Sequence, residues 1–263
     1  MSDSFVIYAP PFQENSGGIV VLHKLKDTLV SLGKECSLVV FGQSVDVEDA
    51  VVVYPEIVSG NPLKAKKVVR WVLNTPGKIG SSTESTWGQD DIVFLFSDNF
   101  TCTKQHAGVL RVMDFRFDLF HNKRLDRDID CCVLFYKQSS VRNEDVEKIS
   151  NSNKTLLRLD DYISDLTSVS IILNRCRKFY SFDTNSYYNV AAALCGCDTI
   201  IIPSDSKSKE DWIKNEPCYK YGISYGFEDS SPLVDSDVVV DHLKNLESEN
   251  LISVKQFIDI ANG

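Results

Sequence analysis

Four consecutive residues, Asp183, Thr184, Asn185 and Ser186, form the polar stretch that is best suited to chemistry in this chain. Their hydroxyl, amide and backbone N–H groups can donate hydrogen bonds to an anion such as phosphate. A helix predicted to begin after Ser186 would add the positive end of its dipole at the same place. The plainer interpretation is that Asp183 only caps this helix. The stretch therefore predicts an anion-binding loop, with a capped helix start as the alternative.

The residues around this loop predict a strand, the loop, a helix and a second strand. Apolar residues recur at the spacing of one helix face, at Tyr187, Val190, Ala191 and Leu194. The helix can end at Gly196, because glycine adopts the left-handed conformation without a steric penalty. Phe179–Ser181 and Thr199–Ile202 are short apolar runs, typical of buried parallel strands. In such a unit the loop follows the carboxyl end of a strand, where α/β proteins bind their ligands.

A glycine-rich loop containing Asn15, Ser16, Gly17 and Gly18 follows the first predicted strand, Phe5–Ala9. An amphipathic helix and another strand come next, so this is a second β–α–β unit. Two adjacent glycines let a backbone approach a ligand closely. The spacing is not GxGxxG, so it does not predict a dinucleotide site, and a tight turn is the plainer interpretation.

The totals restrict the class of protein. The chain has 263 residues, with 28 Lys and Arg against 37 Asp and Glu. This acidic balance disfavours nonspecific binding to nucleic acid, which needs clustered cations. No apolar run approaches the roughly 20 residues that span a bilayer, and the first residues lack the features of a secretory signal. The 8 cysteines are spread through apolar segments, which is typical of buried thiols in a reducing compartment such as the cytoplasm.

The order of predicted elements indicates two α/β domains. Strands are predicted at Ala50–Tyr54, Val68–Leu73, Ile92–Ser97 and Leu110–Met113, and after a charged stretch the alternation resumes from Cys131–Tyr136. A helix is predicted at Asp161–Arg175 and a final one at Leu251–Ala261, while Trp212–Tyr225 is read as irregular. We therefore expect an α/β fold of two Rossmann-like doubly wound domains facing each other across a cleft, residues 1–128 and 129–263. The last helix could pack back on the first domain.

Four segments carry a resemblance to a known family. PPFQENSGGIVVLHKLKDTLVSLGKE, VRWVLNTPG, FDTNSYYNVAAALCGCDTIIIP and YGISYGFED resemble segments of GT-B glycosyltransferases, notably bacterial lipopolysaccharide and polysaccharide glycosyltransferases. The resemblance implies a nucleotide-sugar donor, a glycan or lipid-linked acceptor and no further cofactor. It also implies that the protein acts in the cytoplasm, at the inner face of a membrane. Peripheral attachment to that membrane is a further possibility.

The resemblance assigns donor contacts to the second domain. The residues that it implies are Lys137, Arg142, Asp183, Thr184, Asn185 and Ser186. Its motif usually has a second acidic residue, and that position is Ala191 in this chain. This departure keeps a second hypothesis open, in which the chain is a catalytically inactive module that binds a nucleotide-sugar or a partner.

The resemblance assigns acceptor contacts to the first domain, where a general base should take a proton from the acceptor hydroxyl. The candidates there are Asp98, His106 and Asp114, although a lone histidine is more often structural. Asp128 and Asp130 imitate the D-x-D pair that holds a divalent cation in another glycosyltransferase architecture. Such pairs arise easily in a chain this acidic, so we predict no metal.

Overall fold

A computed structural model describes residues 4–79, 84–135, 141–203, 208–229 and 235–263. The chain divides into two compact units, one of residues 1–114 with 247–263 and one of residues 115–246. Each unit has one sheet, and every strand pairing between described residues is parallel.

The strands, in chain order, are β1 (Ser4–Ala9), β2 (Glu35–Val40), β3 (Val51–Pro55), β4 (Lys67–Val72), β5 (Ile92–Leu95), β6 (Gly108–Val109), β7 (Ile129–Leu134), β8 (Leu156–Arg158), β9 (Cys176–Ser181), β10 (Asp198–Ile201) and β11 (Ile223–Tyr225). The helices are α1 (Gly17–Ser31), α2 (Asn143–Ser152), α3 (Leu166–Arg175), α4 (Tyr187–Leu194), α5 (Lys209–Asn215), α6 (Ser236–Ser248) and α7 (Asn250–Asn262).

The contacts change from the first unit to the second after Asp114, whereas the sequence places the boundary after Asp128. The intervening segment packs on α4 in the second unit. Tyr187 Oη donates to the carbonyl of Phe115 at 2.7 Å, and the Phe120 ring meets the Tyr187 ring edge-on. Aromatic anchors within a charged stretch therefore make it part of the second unit.

The first sheet has the strand order β2-β1-β3-β4-β5-β6. Helices α1 and α7 cover one face, where Leu25 and Phe257 join a core with Phe5 and Trp71. The opposite face is covered by side chains from connecting segments, such as Val47, Val58 and Leu63. The continuous apolar strands of this sheet are thus buried on both faces, as parallel strands usually are, with loops forming one of the two covers.

The second sheet has the strand order β11-β10-β9-β7-β8. One face packs on α2 through Ile149, together with Tyr180 and Phe182. Helices α3 and α4 contact each other and also contact β9. Helix α4 is buried on all sides from Tyr188 to Leu194, so it lies inside the unit.

The prediction of a strand at Leu110–Met113 is wrong. The structure has the two-residue strand β6 just before this stretch and no strand within it. Leu110 N still donates to Leu95 O on β5, at 2.8 Å, but the backbone groups of Arg111 and Met113 bond to side chains of α7. Arg111 N donates to Ser253 Oγ at 2.9 Å, and Met113 N donates to Asn250 Oδ1 at 2.8 Å. The apolar character of this stretch predicted its burial correctly. Its α7 hydrogen-bond partners, however, lie 142 and 137 positions away along the chain.

Two further differences concern the second unit. The predicted helix from Asp161 begins only at Leu166, because the Asp165 carboxylate accepts the N–H of Thr167 at 3.0 Å and caps it there. The segment from Trp212 to Tyr225, which was predicted to be irregular, contains the second half of α5 and the edge strand β11. A three-residue strand carries too little pattern to be recognised from sequence.

All eight cysteines lie in described residues and are free thiols, six of them buried. Within the described part of the chain, no helix is both long and apolar enough to cross a bilayer.

Candidate functional site

The candidate site lies at the carboxyl edge of the second sheet. From β7 the chain goes to β8 on one side and then to β9 on the other, so the strand order reverses between β7 and β9. In open parallel sheets ligands bind outside the carboxyl ends of the strands at such a switch point. The segment that follows β9 there, residues 182–186, contains the predicted polar stretch, which begins at Asp183.

The carbonyl of Asp183 fixes this loop. It accepts three hydrogen bonds, from Ser181 Oγ at 3.0 Å, from Ser186 N at 3.3 Å and from Asn189 Nδ2 at 2.9 Å. Ser181 and Asn189 are fully buried. The carboxylate of Asp183 accepts the N–H of Asn185 at 3.2 Å. These hydrogen bonds brace the loop, and a braced loop loses less conformational entropy when it binds a ligand.

The loop leads into the amino end of α4. Ser186 is the N-cap, and its Oγ accepts the N–H of Tyr188 at 3.3 Å, as predicted. The first turn of α4 has no acidic residue. Thr184 is half-buried and Asn185 is exposed, so both can reach a ligand. The dipole of α4 favours an anion at this end of the helix, whereas the carboxylate of Asp183, three residues before the N-cap, opposes one.

Ala191 is fully buried in the interior helix α4. A carboxylate at this position would lose its hydration, at a cost that only a buried partner could offset. A small apolar side chain therefore fits this interior position without a buried partner.

Two basic residues, Lys137 and Arg142, are predicted to bind the donor phosphates. Lys137 lies outside the described residues. Arg142 is exposed beside the first turn of α2, where its guanidinium lies 2.7 Å from Asp145 Oδ2 and 3.8 Å from Glu144 Oε1. These contacts tie Arg142 to its own helix, although more than half of its side chain remains exposed.

A second arginine at this edge was missed by the sequence analysis. Arg158 is the last residue of β8, and its guanidinium lies over the ring of Phe135 at 5.3 Å. Asp160 lies 3.6 Å from the same guanidinium and accepts the N–H of Phe135 at 3.0 Å. Phe135 in turn stacks on Phe182, with ring centroids 5.2 Å apart. Arg158 is thus connected to the loop after β9 through two stacked rings.

Lys209 is another basic residue that the sequence analysis did not single out. Its Nζ lies 2.5 Å from Asp229 Oδ2, which also accepts the N–H of Tyr225 at the end of β11. Trp212, one turn along α5, stacks on Tyr219 with ring centroids 4.5 Å apart. A charged residue at the end of a strand was the available signal for Arg158, whereas nothing local distinguishes Lys209 from a solvated lysine.

The structure does not bring the predicted catalytic residues of the first unit together. Asp98 is exposed and follows β5 at its carboxyl end. His106 is exposed and lies near the amino end of β5, because Ala107 N donates to Val93 O at 2.7 Å. The length of β5, about 13 Å, separates the two residues. Asp114 lies within electrostatic range of Lys24 on α1.

The glycine-rich loop enters α1 directly. Asn15 is exposed, Ser16 N donates to Gln13 O at 3.1 Å, and the glycines form the first turn. A Cβ added to Gly17 would meet no described atom within 4 Å, and one on Gly18 would lie 3.7 Å from Leu73 Cδ1. The protein itself therefore does not require glycine at either position.

A buried carboxyl group lies near this turn. Glu56 directly follows β3 and is 5% exposed, and its Oε2 accepts the N–H of Leu73 at 3.0 Å. Burial raises the pKa of Glu56 to about 7, while bonds from backbone amides, first that of Leu73, oppose the shift. The apolar context of Glu56 was the only signal in the sequence.

The acidic pair Asp128 and Asp130 has structural partners. Arg175 donates to Asp128 at 2.9 and 2.5 Å, and this hydrogen-bonded ion pair lowers the pKa of Asp128. Asp130 accepts the backbone N–H groups of Lys154 and Thr155. Among the described residues, no group of three or more potential metal-ligating side chains is arranged to hold a metal ion.

Comparison with known proteins gives no match in sequence and one distant likeness in structure. No family model matches the chain. No curated protein matches it. Among solved structures, the crystal structure of the glycosyltransferase SnogD from Streptomyces nogalater aligns with 99% of this chain and 100% of that chain. The identity is 11% and the TM-score is 0.33, a likeness that carries no argument about function.

Proposed function

We propose that the chain is a glycosyltransferase that binds a nucleotide-sugar at the loop of residues 182–186 and transfers the sugar to a hydroxyl of a glycan or lipid-linked acceptor. The observation that carries the proposal is the braced loop at the switch point of the second sheet, leading into the amino end of α4. This arrangement suits the phosphates of a nucleotide.

Positive groups around the loop would stabilise the leaving nucleoside phosphate. As the bond between the sugar and the phosphate breaks, negative charge grows on the phosphate oxygen, and a fixed positive potential lowers the energy of that state. The groups proposed for this task are the amino end of α4, Thr184 and Asn185 as hydrogen-bond donors, and the guanidinium groups of Arg142 and Arg158. With these groups the transfer would proceed without a metal ion.

The finer assignment is part of the same proposal. The segments VRWVLNTPG and FDTNSYYNV resemble GT-B enzymes of bacterial polysaccharide and lipopolysaccharide assembly, which supports donor contacts on the second unit and acceptor contacts on the first. A reaction on a lipid-linked acceptor would take place at the cytoplasmic face of a membrane.

The second candidate is a nucleotide-sugar-binding or partner-binding module without catalysis. Ala191, where the resembling motif has a carboxylate, favours it. Both candidates predict nucleotide binding, and only the first predicts release of nucleotide together with a glycosylated product.

The test begins with binding. Calorimetric titration with UDP, GDP, CMP, dTDP and their common sugar conjugates should give a dissociation constant for at least one of them, and the ligand should raise the melting temperature. Thr184→Val should weaken that binding about 10-fold, which corresponds to about 1.4 kcal/mol.

Thr167→Val, an exposed threonine in the first turn of α3, is the matched control and should bind normally. Absence of binding by every nucleotide would contradict both candidates. Binding without product across lipid-linked and soluble sugar acceptors would favour the inactive module.

A further inference from the structure

A cluster of three buried thiols, Cys132, Cys176 and Cys197, lies inside the second unit. Cys176 is the first residue of β9, and Cys197 directly precedes β10, so both lie at the amino edge of the sheet. Cys132 and Cys176 are fully buried, and Cys197 is 6% exposed. The sulfur of Cys176 forms hydrogen bonds with the thiols of both other residues. These thiols are outside the loop of residues 182–186, and the proposed transfer does not use them.

The guanidinium group of Arg127 lies beside this cluster. Its Nη1 is 4.0 Å from Cys197 Sγ and donates to the carbonyl of Cys176, while its Nη2 donates to the carbonyl of Cys195 at 2.7 Å. Gly196 leaves room for the guanidinium, because a Cβ at this position would lie 2.8 Å from Arg127 Nη2. The side chain of a half-buried residue therefore brings a positive charge to the buried thiols.

The two thiols at the sheet edge differ in character. Hydrogen bonds from the thiols of Cys132 and Cys197 lower the pKa of Cys176, and the charge of Arg127 acts in the same direction, although burial opposes the shift. Burial, followed by the hydrogen bond to Cys176, raises the pKa of Cys197. The thiolate is the nucleophilic form of cysteine. Cys176 is therefore suited to attack, and Cys197 is a neutral thiol next to it.

The strand register places Cys176 and Cys197 at the spacing of a disulfide. Lys178 of β9 is paired with Asp198 of β10. Cys176 lies two residues before Lys178, and Cys197 lies one residue before Asp198, so the two cysteines are offset by one residue on adjacent strands. With strands about 4.8 Å apart and a rise of about 3.3 Å per residue, their α-carbons are about 6 Å apart. Disulfides join α-carbons that are roughly 4.4–6.8 Å apart.

The same register disfavours Cys132 as the bonding partner. Cys132 is paired with Phe179, three residues further along β9 than Cys176, so its α-carbon is farther from that of Cys176. A metal ion is not suited to the cluster either, since the described residues include no group that could hold one. A bond between Cys176 and Cys197 is therefore the chemistry that the cluster supports best.

We propose that Cys176 and Cys197 form a reversible disulfide when hydrogen peroxide reaches the protein. The Cys176 thiolate attacks one peroxide oxygen, the O–O bond breaks, and hydroxide leaves, so that Cys176 becomes a sulfenic acid. The sulfur of Cys197 then attacks the sulfur of this sulfenic acid, and the departing hydroxyl takes the proton of Cys197 to form water. In total, two thiols and one peroxide give a disulfide and two waters.

This bond would enclose β9, the loop of residues 182–186 and α4, because Cys176 begins β9 and Cys197 follows α4. A cross-link restricts the opening of the chain segment that it encloses. The formation of the disulfide does not depend on the proposed transferase function, so each can fail without the other.

The test treats the full-length, reduced protein with a small molar excess of hydrogen peroxide under native conditions. Thiol titration in denaturant should show that the eight free thiols fall by two. Mass mapping of peptides prepared without reductant should show one cross-link, between Cys176 and Cys197. Dithiothreitol should then restore all eight thiols, because a dithiol reduces a disulfide by exchange.

Three variants test the separate roles. Cys195→Ala is the matched control, since Cys195 is also fully buried and lies two residues before Cys197, and it should form the bridge at the wild-type rate. Cys197→Ala should leave Cys176 as a sulfenic acid that dimedone traps. Arg127→Met should slow the loss of thiols about 5-fold, because the thiolate loses a nearby positive charge.

The map of the wild-type protein decides the matter even where a variant fails to fold. Wild-type protein that keeps eight thiols, or that joins Cys176 to Cys132 or Cys195, would overturn the proposal. A bridge that forms only at urea concentrations that unfold the protein would also overturn it, because the folded cluster would then be inert.

Discussion

At the scale of single residues, the proposed chemistry depends on charged side chains that are oriented by residues outside their own strand. Arg158 is oriented by Asp160 and by the ring of Phe135, which belongs to the segment after β7. The loop residues Asp183 and Ser186 could be chosen from local sequence, because caps and turns are made by near neighbours. Arg158 could not be chosen in this way, since its partner ring is 23 positions earlier in the chain.

Arg158→Ala should weaken binding of the nucleotide-sugar about 10-fold, or about 1.4 kcal/mol, because it removes a charge from the edge where the phosphates are proposed to lie. Lys154→Ala is a matched control, since Lys154 is an exposed cation just before the opposite end of β8. Calorimetry at low salt measures both, because screening weakens such contacts. Equal affinities for the two variants would remove Arg158 from the site.

Arg70→Met should lower the free energy of unfolding by about 3–5 kcal/mol, as expected when one partner of a buried ion pair is removed. Arg70 is fully buried, and it donates to Asp91 and to the carbonyls of Val58 and Gly60. The substitution leaves a mostly buried carboxylate and two carbonyls without these donors.

Urea denaturation measures the effect of Arg70→Met, with Lys67→Met on the exposed start of the same strand as the control. Combining Arg70→Met with Asp91→Asn should recover part of the loss, because the carboxylate is no longer charged. A loss below 1 kcal/mol for Arg70→Met would contradict the buried pair.

At the scale of elements, the hydrophobic pattern predicted which residues are buried better than it predicted their backbone hydrogen-bond partners. The strands β1 to β5 lie within a few residues of their expected positions, since each is a run of apolar residues. Leu110–Met113 is also largely apolar but is no strand, because the backbone amides of Arg111 and Met113 pair with side chains of α7. A pattern of hydrophobicity measures burial, and several hydrogen-bonding arrangements can satisfy a buried backbone.

Asn250→Ala tests this pairing. The buried amide of Asn250 accepts the N–H of Met113 at 2.8 Å and donates to its carbonyl at 2.7 Å. Losing both bonds should cost about 2–3 kcal/mol of the free energy of unfolding, because two buried backbone groups lose their partner. Gln256→Ala, an exposed position on the same helix, should change stability by less than about 0.5 kcal/mol. Similar losses for the two variants in denaturant titrations would refute the pairing.

At the scale of the whole molecule, the first unit is assembled from both ends of the chain. Residues 247–263 belong with residues 1–114, and Val254, Phe257 and Ala261 of α7 complete the core around Phe5. Residues 115–246 have their own sheet and core. Contacts that close a unit from opposite termini should make its folding depend on an intact C-terminus.

Removal of residues 247–263 should therefore unfold the first unit, because one helix cover of its sheet is lost and a large apolar face is exposed. Residues 115–246 expressed alone should remain folded. Amide-exchange mass spectrometry measures both, with loss of protection expected in β1 to β5 of the truncated protein. Native-like protection there would show that α7 is dispensable for the first core.

The sequence alone determined the α/β class, the parallel strands, the capped start of α4 and the polar loop before it. These follow from burial patterns and from contacts between neighbours, which the local order of residues dictates. Only the tertiary structure decided that the segment after Asp114 packs in the second unit, that α7 belongs to the first core, and that Glu56 and Arg158 lie at sheet edges. Each of these depends on partners far apart in the chain, whose meeting is set by strand order and by the packing of whole elements.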